Sequence, residues 1–401
     1  MEKQAFPPSI TGKGASFATG GSVLDHAFGK SDPYTLGVEE EYMLLDGETF
    51  DLVQHIDSVL AAVSGHELEA RINAELMQSV LEIATPVCRT PIDVEEQLRK
   101  IRAYVSEIAH ADGMRVGSAG THPFSLFERQ RITARDRYRN LVDQLQYVAR
   151  RELIFGMHVH VAVDDAEKAI QVVNGLLAHL PQLLALSASS PFWRGEPTGL
   201  SSSRQMVFAA FPRSGPPPRF KDYSDYAAVV GQLEKTGCIA DYTHIWWDIR
   251  LHPRLGTIEI RICDATTRIE DVVALTAYCQ ALVKHYCEAH ERGEEIPSYH
   301  RILTTENKWL AARYGLEAPL MDLATGRRNR VPVAQLIRRT LKQLQPHARE
   351  LGSERELEGI ADILVRGNGA DRQLRVFNAN RDIVEVVREI ANATEGAAVA
   401  A

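Results

Sequence analysis

The apolar positions of this chain recur with two periods, and the two together set the expected elements. A spacing of three and four marks amphipathic helices. In "DVEEQLRKIRAYVSEIAHADG", Val94, Leu98, Ile101, Val105 and Ile108 share a face, and Gly113 is a natural stop. "DDAEKAIQVVNGLLAHLPQLLAL" repeats the pattern through Ile170, Val173, Leu177 and Leu180. "IEDVVALTAYCQALVKHYCEAH" is a third helix, and two or three more are expected from Val331 onward. Alternation marks short strands, expected over residues 35–45, 115–118, 154–163, 245–251 and 257–263. The order is not a regular βαβα series. It predicts an α+β fold, with helices packed on one face of a largely antiparallel sheet.

Between these elements lie two Pro/Gly/Ser-rich loops, "SSPFWRGEPTGLSSSR" and "FPRSGPPPR", which carry Arg194, Arg204, Arg213 and Arg219. Loops of this length in a compact domain are often functional lids. There is no internal repeat. Residues 1–33, with the Gly-rich "GKGASFATGG", are expected to be a flexible leader, because the glycines lack the order of a phosphate cradle. Residues 34–392 are expected to form a single domain, and 393–401 a frayed tail.

Charge narrows the function classes. The formal net charge of −8 argues against general nucleic-acid binding, which needs a basic face. No apolar run reaches the length of a membrane span. The five cysteines form no C-x-x-C and read as reduced packing residues of a cytoplasmic protein.

Three strands then put chemistry on one face. Side chains alternate along a strand. In "GVEEEYMLL", Glu39 and Glu41 share a face, while Glu40 falls with Val38 and Tyr42. In "FGMHVHVAV", His158 and His160 share a face; in "GTIEIRICDA", Glu259 and Arg261 do. If these strands join one sheet, one face gathers three carboxylates, two imidazoles and a guanidinium. Carboxylates drawn to about 4 Å repel by roughly 4 kcal/mol at an effective dielectric near 20. Divalent cations would offset that, and hard oxygen-rich sites select Mg²⁺ or Mn²⁺. "INAELMQSVLEIATPV" adds Glu75 and Glu82, seven apart. They share a face if the segment is helical; if its end is a strand, Glu82 opposes Leu81 and Ile83. Both conformations remain open at this point.

These segments resemble the glutamate–cysteine ligase type 2 family of carboxylate–amine ligases. The matching motifs are "LGVEEEYMLLD", "AELMQSVLEIATPV", "GSAGTHPFS", "FGMHVHVAV", "LSASSPFWRGEPTGLSSSRQMVF", "TIEIRICDA" and "GNGADRQ". The resemblance implies a glutamine-synthetase-like catalytic domain, whose curved, mostly antiparallel sheet binds ATP, Mg²⁺ and an amino acid on its concave face. It implies metal ligation by Glu39, Glu41, Glu75, Glu82, His158 and Glu259. Arg261, Arg204 and His158 would face the nucleotide, Arg261 stabilising the transferring phosphoryl group and Glu259 holding metal beside it. Thr121 and His122 would be pocket residues. The implied substrates are glutamate and an amine, cysteine in the named reaction, and a homodimer is the commonest closed assembly. Two other readings stand beside it. One is a metal-dependent hydrolase built on His158, His160 and a carboxylate. The other is a non-catalytic nucleotide- or amino-acid-binding regulator.

Overall fold

The computed structural model describes residues 24–297, 299–325 and 329–399. Seven strands form its main sheet: β1 (Leu36–Asp46), β2 (Ile72–Ala74), β3 (Val80–Ala84), β4 (Met114–Gly117), β5 (Met157–Ala162), β6 (Ile249–His252) and β7 (Thr257–Ile260). Their order is β6-β7-β5-β1-β3-β2, with β4 also paired to β1, and every pairing is antiparallel. The eleven-residue β1 is the hub. It pairs with β5 along Leu36–Glu40, with β3 along Glu39–Met43 and with β4 along Met43–Asp46. The "AELMQSVLEIA" segment is therefore a hairpin, with Glu75 just after β2 and Glu82 within β3, and not a helix.

The apolar face of the sheet carries Val38, Val159, Val161, Ile258 and Ile260, all buried in one core. Three helices cover it: α1 (Pro91–Ala111), α3 (Ala166–Leu176) and α6 (Ile269–Glu291); α2 (Asp136–Leu145) lies elsewhere, against the polar side. α1 begins with a capping box. Thr90 Oγ1 accepts from the Asp93 amide at 3.2 Å, and Asp93 Oδ2 accepts from the Thr90 amide at 2.9 Å. The long helix expected over "AEKAIQVVNGLLAHLPQLLAL" is broken. α3 ends at Leu176, and α4 (Leu180–Ser187) leaves at 64°. Pro181 lacks the amide hydrogen that a continuing helix would use. No single helix among the described residues is long and apolar enough to cross a membrane. Four of the cysteines are buried and Cys238 is exposed, with no disulfide among them.

Glu40 is the residue that spoilt the clean alternation of β1, and it is fully buried. Arg102 of α1 grips it, with Nη2 2.5 Å from Oε1 and Nε 3.2 Å from Oε2. Tyr42 donates its hydroxyl to the same carboxylate. The remaining guanidinium hydrogens go to the carbonyls of Thr266 and Thr267, at 3.3 and 2.7 Å. A buried charge is tolerable when paired and fully hydrogen-bonded. Burial opposes the charge of Arg102, but Glu40 holds its pKa above the ordinary arginine value.

Two boundary expectations change. The expected leader, residues 1–33, lies largely outside the described residues, but part of 24–33 is anchored to the fold. Ala27 donates to the Pro253 carbonyl at 2.8 Å, Gly29 donates to that of Val163 at 3.2 Å, and Phe28 is buried. The segment from 393, expected to fray, continues a helix. After α7 (Arg301–Tyr314), four helices lie beyond Val331 among the described residues: α8 (Val333–Leu351), α9 (Glu354–Arg366), α10 (Gly369–Asn380) and α11 (Ile383–Val399). α11 covers β4: the Val116 amide donates to Glu395 at 2.8 Å, the Ser118 amide to Thr394 Oγ1 at 3.0 Å, and Arg115 Nε to Glu395 at 2.6 Å. Backbone groups on a sheet edge are thereby satisfied by a helix.

Candidate active site

Register assembles the polar face. Glu39 lies opposite His158, Glu41 opposite Glu82, His160 opposite Glu259, and Glu259 opposite Arg250. Two groups of three follow, each with ligand atoms within 4.8 Å of one another: Glu41, Glu75 and Glu82, and Glu39, His160 and Glu259. The structure thus brings together all six residues expected to hold metal and adds His160 to them. His158 Nδ1 lies 3.1 Å from Glu39 and 3.9 Å from Glu259, on the edge of the second group.

The electrostatics of the two groups differ. In the first, burial and Glu75 push Glu41 up to about 7. Burial likewise raises Glu75, and burial together with Glu75, Glu39 and Glu41 raises Glu82 well above the ordinary glutamate value. Three acids face one another with too few cations. In the second group, burial alone would raise Glu39, yet the hydrogen bond from His158 and the nearby ring of His160 hold it well below the usual range. Burial would also raise Glu259, but Arg250 and Arg261 hold it low. Arg250 binds it in two places, Nε at 2.5 Å and Nη2 at 3.2 Å, and Arg261 Nη1 takes Oε1. Burial and Arg261 bring His158 down to about 4, so its ring is neutral.

A cavity of about 130 Å³ opens beside the first group. Its walls include Glu41, Glu75, Glu152, His158, Arg204 and Arg261, with Tyr138 of α2 and the rings of Phe208, Phe211 and Trp246. Arg204 does not lie in an open loop: it sits on a short helix, α5 (Ser203–Phe208), that ends the first Ser-rich segment. It reaches the sheet because residue 156 is glycine; a Cβ there would collide with its guanidinium and lie 3.2 Å from His158 Nε2. The Gly156 amide also donates to Glu41 Oε2 at 2.5 Å. The Nε atoms of Arg204 and Arg261 are both buried without a hydrogen-bond partner. Two guanidiniums with unused donors in a cavity suit an oxyanion such as phosphate.

Arg204 is held from behind by Asp264, a fully buried carboxylate in "ICDA". Its oxygens accept from the Ser189 amide at 2.9 Å, Ser190 Oγ at 2.7 Å and Ser202 Oγ at 2.8 Å, and lie 4.0 Å from Arg204 Nη1. Ser190 Oγ also accepts from the Arg204 amide at 3.1 Å. A Cβ on Gly120 would stand 2.6 Å from Asp264 Oδ2. Gln373 of "GNGADRQ" donates to the Ser189 carbonyl at 2.8 Å, and Asn368 Nδ2 to that of Ala185 at 2.9 Å. Four separately quoted motifs therefore meet at one node.

Other expectations are not met. Thr121 and His122 do not line the cavity. Thr121 Oγ1 donates to the Phe192 carbonyl at 2.8 Å; His122 Nε2 meets the Phe50 carbonyl at 2.9 Å, and its Nδ1 accepts from the amides of Phe124 and Ser125 at 3.2 and 2.9 Å. Of the loop arginines, Arg194 pairs with Glu128, Arg213 stacks on Trp246 at the cavity wall, and Arg219 is exposed. Sequence reasoning missed Arg250, although alternation along "IRLH" puts it on the polar face. It also missed Glu152, which precedes β5 in an irregular segment with no periodic signal.

Comparison with known proteins gives the family. The model of the family described as glutamate-cysteine ligase family 2 matches residues 35–392. A putative glutamate–cysteine ligase 2-1 of Rubrobacter xylanophilus is 44% identical over 366 residues, covering 91% of this chain and 96% of that one. A putative glutamate–cysteine ligase 2 of Sorangium cellulosum is 44% identical over 358 residues, covering 89% and 95%. Among solved structures, a glutamate–cysteine ligase of Francisella tularensis in complex with AMP aligns with a TM-score of 0.65 at 13% identity, covering 93% of this chain and 90% of that one. A bifunctional glutathione synthetase of Pasteurella multocida also gives 0.65, at 15% identity, covering 92% of this chain and 52% of that one. At such identities the structural matches speak for the fold, while the sequence matches speak for descent. On their length and identity, the chain belongs to the glutamate–cysteine ligase family 2.

Proposed function

We propose that this protein is an ATP-dependent carboxylate–amine ligase that joins the γ-carboxylate of glutamate to an amine, with cysteine as the first acceptor to test. The observation that carries this reading is the pairing of two carboxylate groups with two arginines whose Nε donors are unused. A zinc hydrolase would use about three protein ligands and has no need of those arginines.

The residues fit divalent cations. Three carboxylates within 4.8 Å of one another repel by about 3.5 kcal/mol per ionised pair at an effective dielectric near 20. His160 Nε2 is buried without a hydrogen-bond partner, 3.3 Å from Glu39. We infer that Glu41, Glu75 and Glu82 would hold one Mg²⁺ or Mn²⁺, and that Glu39, Glu259 and His160 would hold another, with His158 beside them. When bound, such ions supply neutralisation of phosphate charge and alignment of the transfer.

The remaining chemistry belongs to the chain and its substrates. A carboxylate is a poor electrophile. Transfer of the terminal phosphoryl group of ATP to the γ-carboxylate gives an acyl phosphate and ADP. An amine then attacks the acyl carbon, the carbon–oxygen bond to phosphate breaks, and the amide forms with loss of a proton. Arg204 and Arg261 offer donors to the phosphoryl oxygens, which suits a transfer that depends on positioning and charge stabilisation. A sheet curved around the nucleotide, as in glutamine-synthetase-like enzymes, belongs to the same reading.

The test is phosphate release from Mg·ATP with glutamate alone and with glutamate plus cysteine or other amines, with mass detection of γ-glutamyl products. An amine-dependent γ-glutamyl product is expected. Glu39→Gln and Glu259→Gln should abolish it while leaving the fold intact. No ATP turnover with any pair would overturn the reading.

A further inference from the structure

Glu152 stands apart from both carboxylate groups. It lines the same cavity as Glu41, Arg204 and Arg261. Its Oε2 is sealed from solvent and has no hydrogen-bond partner. Among the described residues, no Lys, Arg or His nitrogen lies within 4.0 Å of its carboxylate. A carboxylate held in a cavity without a partner is costly, because nothing replaces the water it lost. Burial raises its pKa to about 8 against the opposing pull of Arg204, so near pH 8 it is about half ionised and able to take up a proton. An ammonium group placed against that carboxyl would draw it into its ionised form.

We propose that Glu152 is the recognition residue for the attacking amine, binding its ammonium group and accepting the proton it must shed. This rests on the ligase reading above and names what that reading leaves open. The acceptor enters as a protonated primary amine. One proton passes from nitrogen to the Glu152 carboxylate, the freed lone pair attacks the acyl carbon, and phosphate departs with the electrons of the broken carbon–oxygen bond. The acceptor must lie against Arg204 and Arg261, because the carbon it attacks carries the phosphoryl group those residues face. The rings of Phe208, Phe211 and Trp246 give the cavity an apolar wall. That wall suits an acceptor whose body beyond the ammonium carries no further charge.

Hydroxylamine separates the alternatives. It is largely uncharged near pH 8 and traps an acyl phosphate as a hydroxamate, so it needs neither an ammonium site nor a base. The full-length protein and its Glu152→Gln variant would be assayed with Mg·ATP and glutamate. Each would receive hydroxylamine, then cysteine, then a panel of alkyl primary amines. In Glu152→Gln, the KM for the best ammonium acceptor should rise about tenfold or more, the loss of one charge-assisted contact. Hydroxamate formation should fall several-fold less than amide formation, since hydroxylamine brings no ammonium charge to this contact. Glu152→Asp should recover part of the loss, which a merely structural role would not predict. Equal loss with hydroxylamine and ammonium acceptors, or no loss with either, overturns the assignment. So does an unsubstituted protein that forms hydroxamate but uses no ammonium acceptor. If the unsubstituted protein forms neither hydroxamate nor amide, the ligase reading itself falls, and this inference with it.

Discussion

Three consecutive glutamates meet three fates. Glu39 and Glu41 point to the polar face, into different carboxylate groups, and Glu40 points into the core against Arg102. The period of two made the first two readable from the sequence. Glu40 was not readable, because its partner lies 62 residues away on a helix. His160 was placed on the polar face beside His158 but not among the ligands; what brings it to Glu39 and Glu259 is register, which a single strand cannot reveal. The crowding of Glu41, Glu75 and Glu82 has a measurable side. Glu82→Gln removes one repelling charge, so in chelator-treated protein it should raise Tm, by about 2 °C or more. The same variant should lose Mg²⁺-supported ATP turnover. A lower Tm without metal would show that the trio is not under electrostatic stress.

Elements differ in how plainly the sequence announced them. α1, α6 and strands β1, β5 and β7 follow strong periodic patterns and lie within a few residues of expectation. The β2–β3 hairpin was ambiguous, since a seven-residue spacing of glutamates suits two turns of helix as well as the chain reversal observed. Glu152 and the Asp264 node were hidden because loops carry no period. The joint between α1 and β1 can be tested directly. Arg102→Met should cost about 3–5 kcal/mol in denaturant unfolding, because it leaves Glu40 buried and unpaired. Adding Glu40→Gln should restore most of that loss. A double variant as unstable as the single one would mean that Arg102 contributes through packing rather than through the ion pair.

At the scale of the whole molecule, buried neutral histidines tie stability to pH. His122 Nδ1 accepts two backbone amides, so Nε2 carries the proton and donates to Phe50. Burial lowers its pKa from 6.5 to about 4. The unfolded chain therefore binds this proton first as pH falls. The stabilisation is fully present above about 6.5 and is lost progressively toward about 4, at about 1.4 kcal/mol per unit within that window. His179 and His252, pushed by burial to about 3 and about 4, act with the same sign. Unfolding free energy should fall between pH 6.5 and 5, and His122→Gln, whatever its absolute stability, should show a shallower slope by about one proton. An unchanged slope would show that His122 is charged in the folded protein.

The node at Asp264 has a consequence in time rather than in space. Arg204 is placed by a carboxylate at 264, which is braced by serines at 189, 190 and 202, one of them fastened by a glutamine at 373. Residues 394 and 395 accept the Ser118 and Val116 amides at the edge of β4. A ribosome making this chain delivers Glu39, Glu41, Glu75 and Glu82 well before Glu259 and before the parts that orient the phosphate-facing arginine. A chain cut short before residue 373 would keep those four acids and lose the contact that fastens Ser189 behind Arg204.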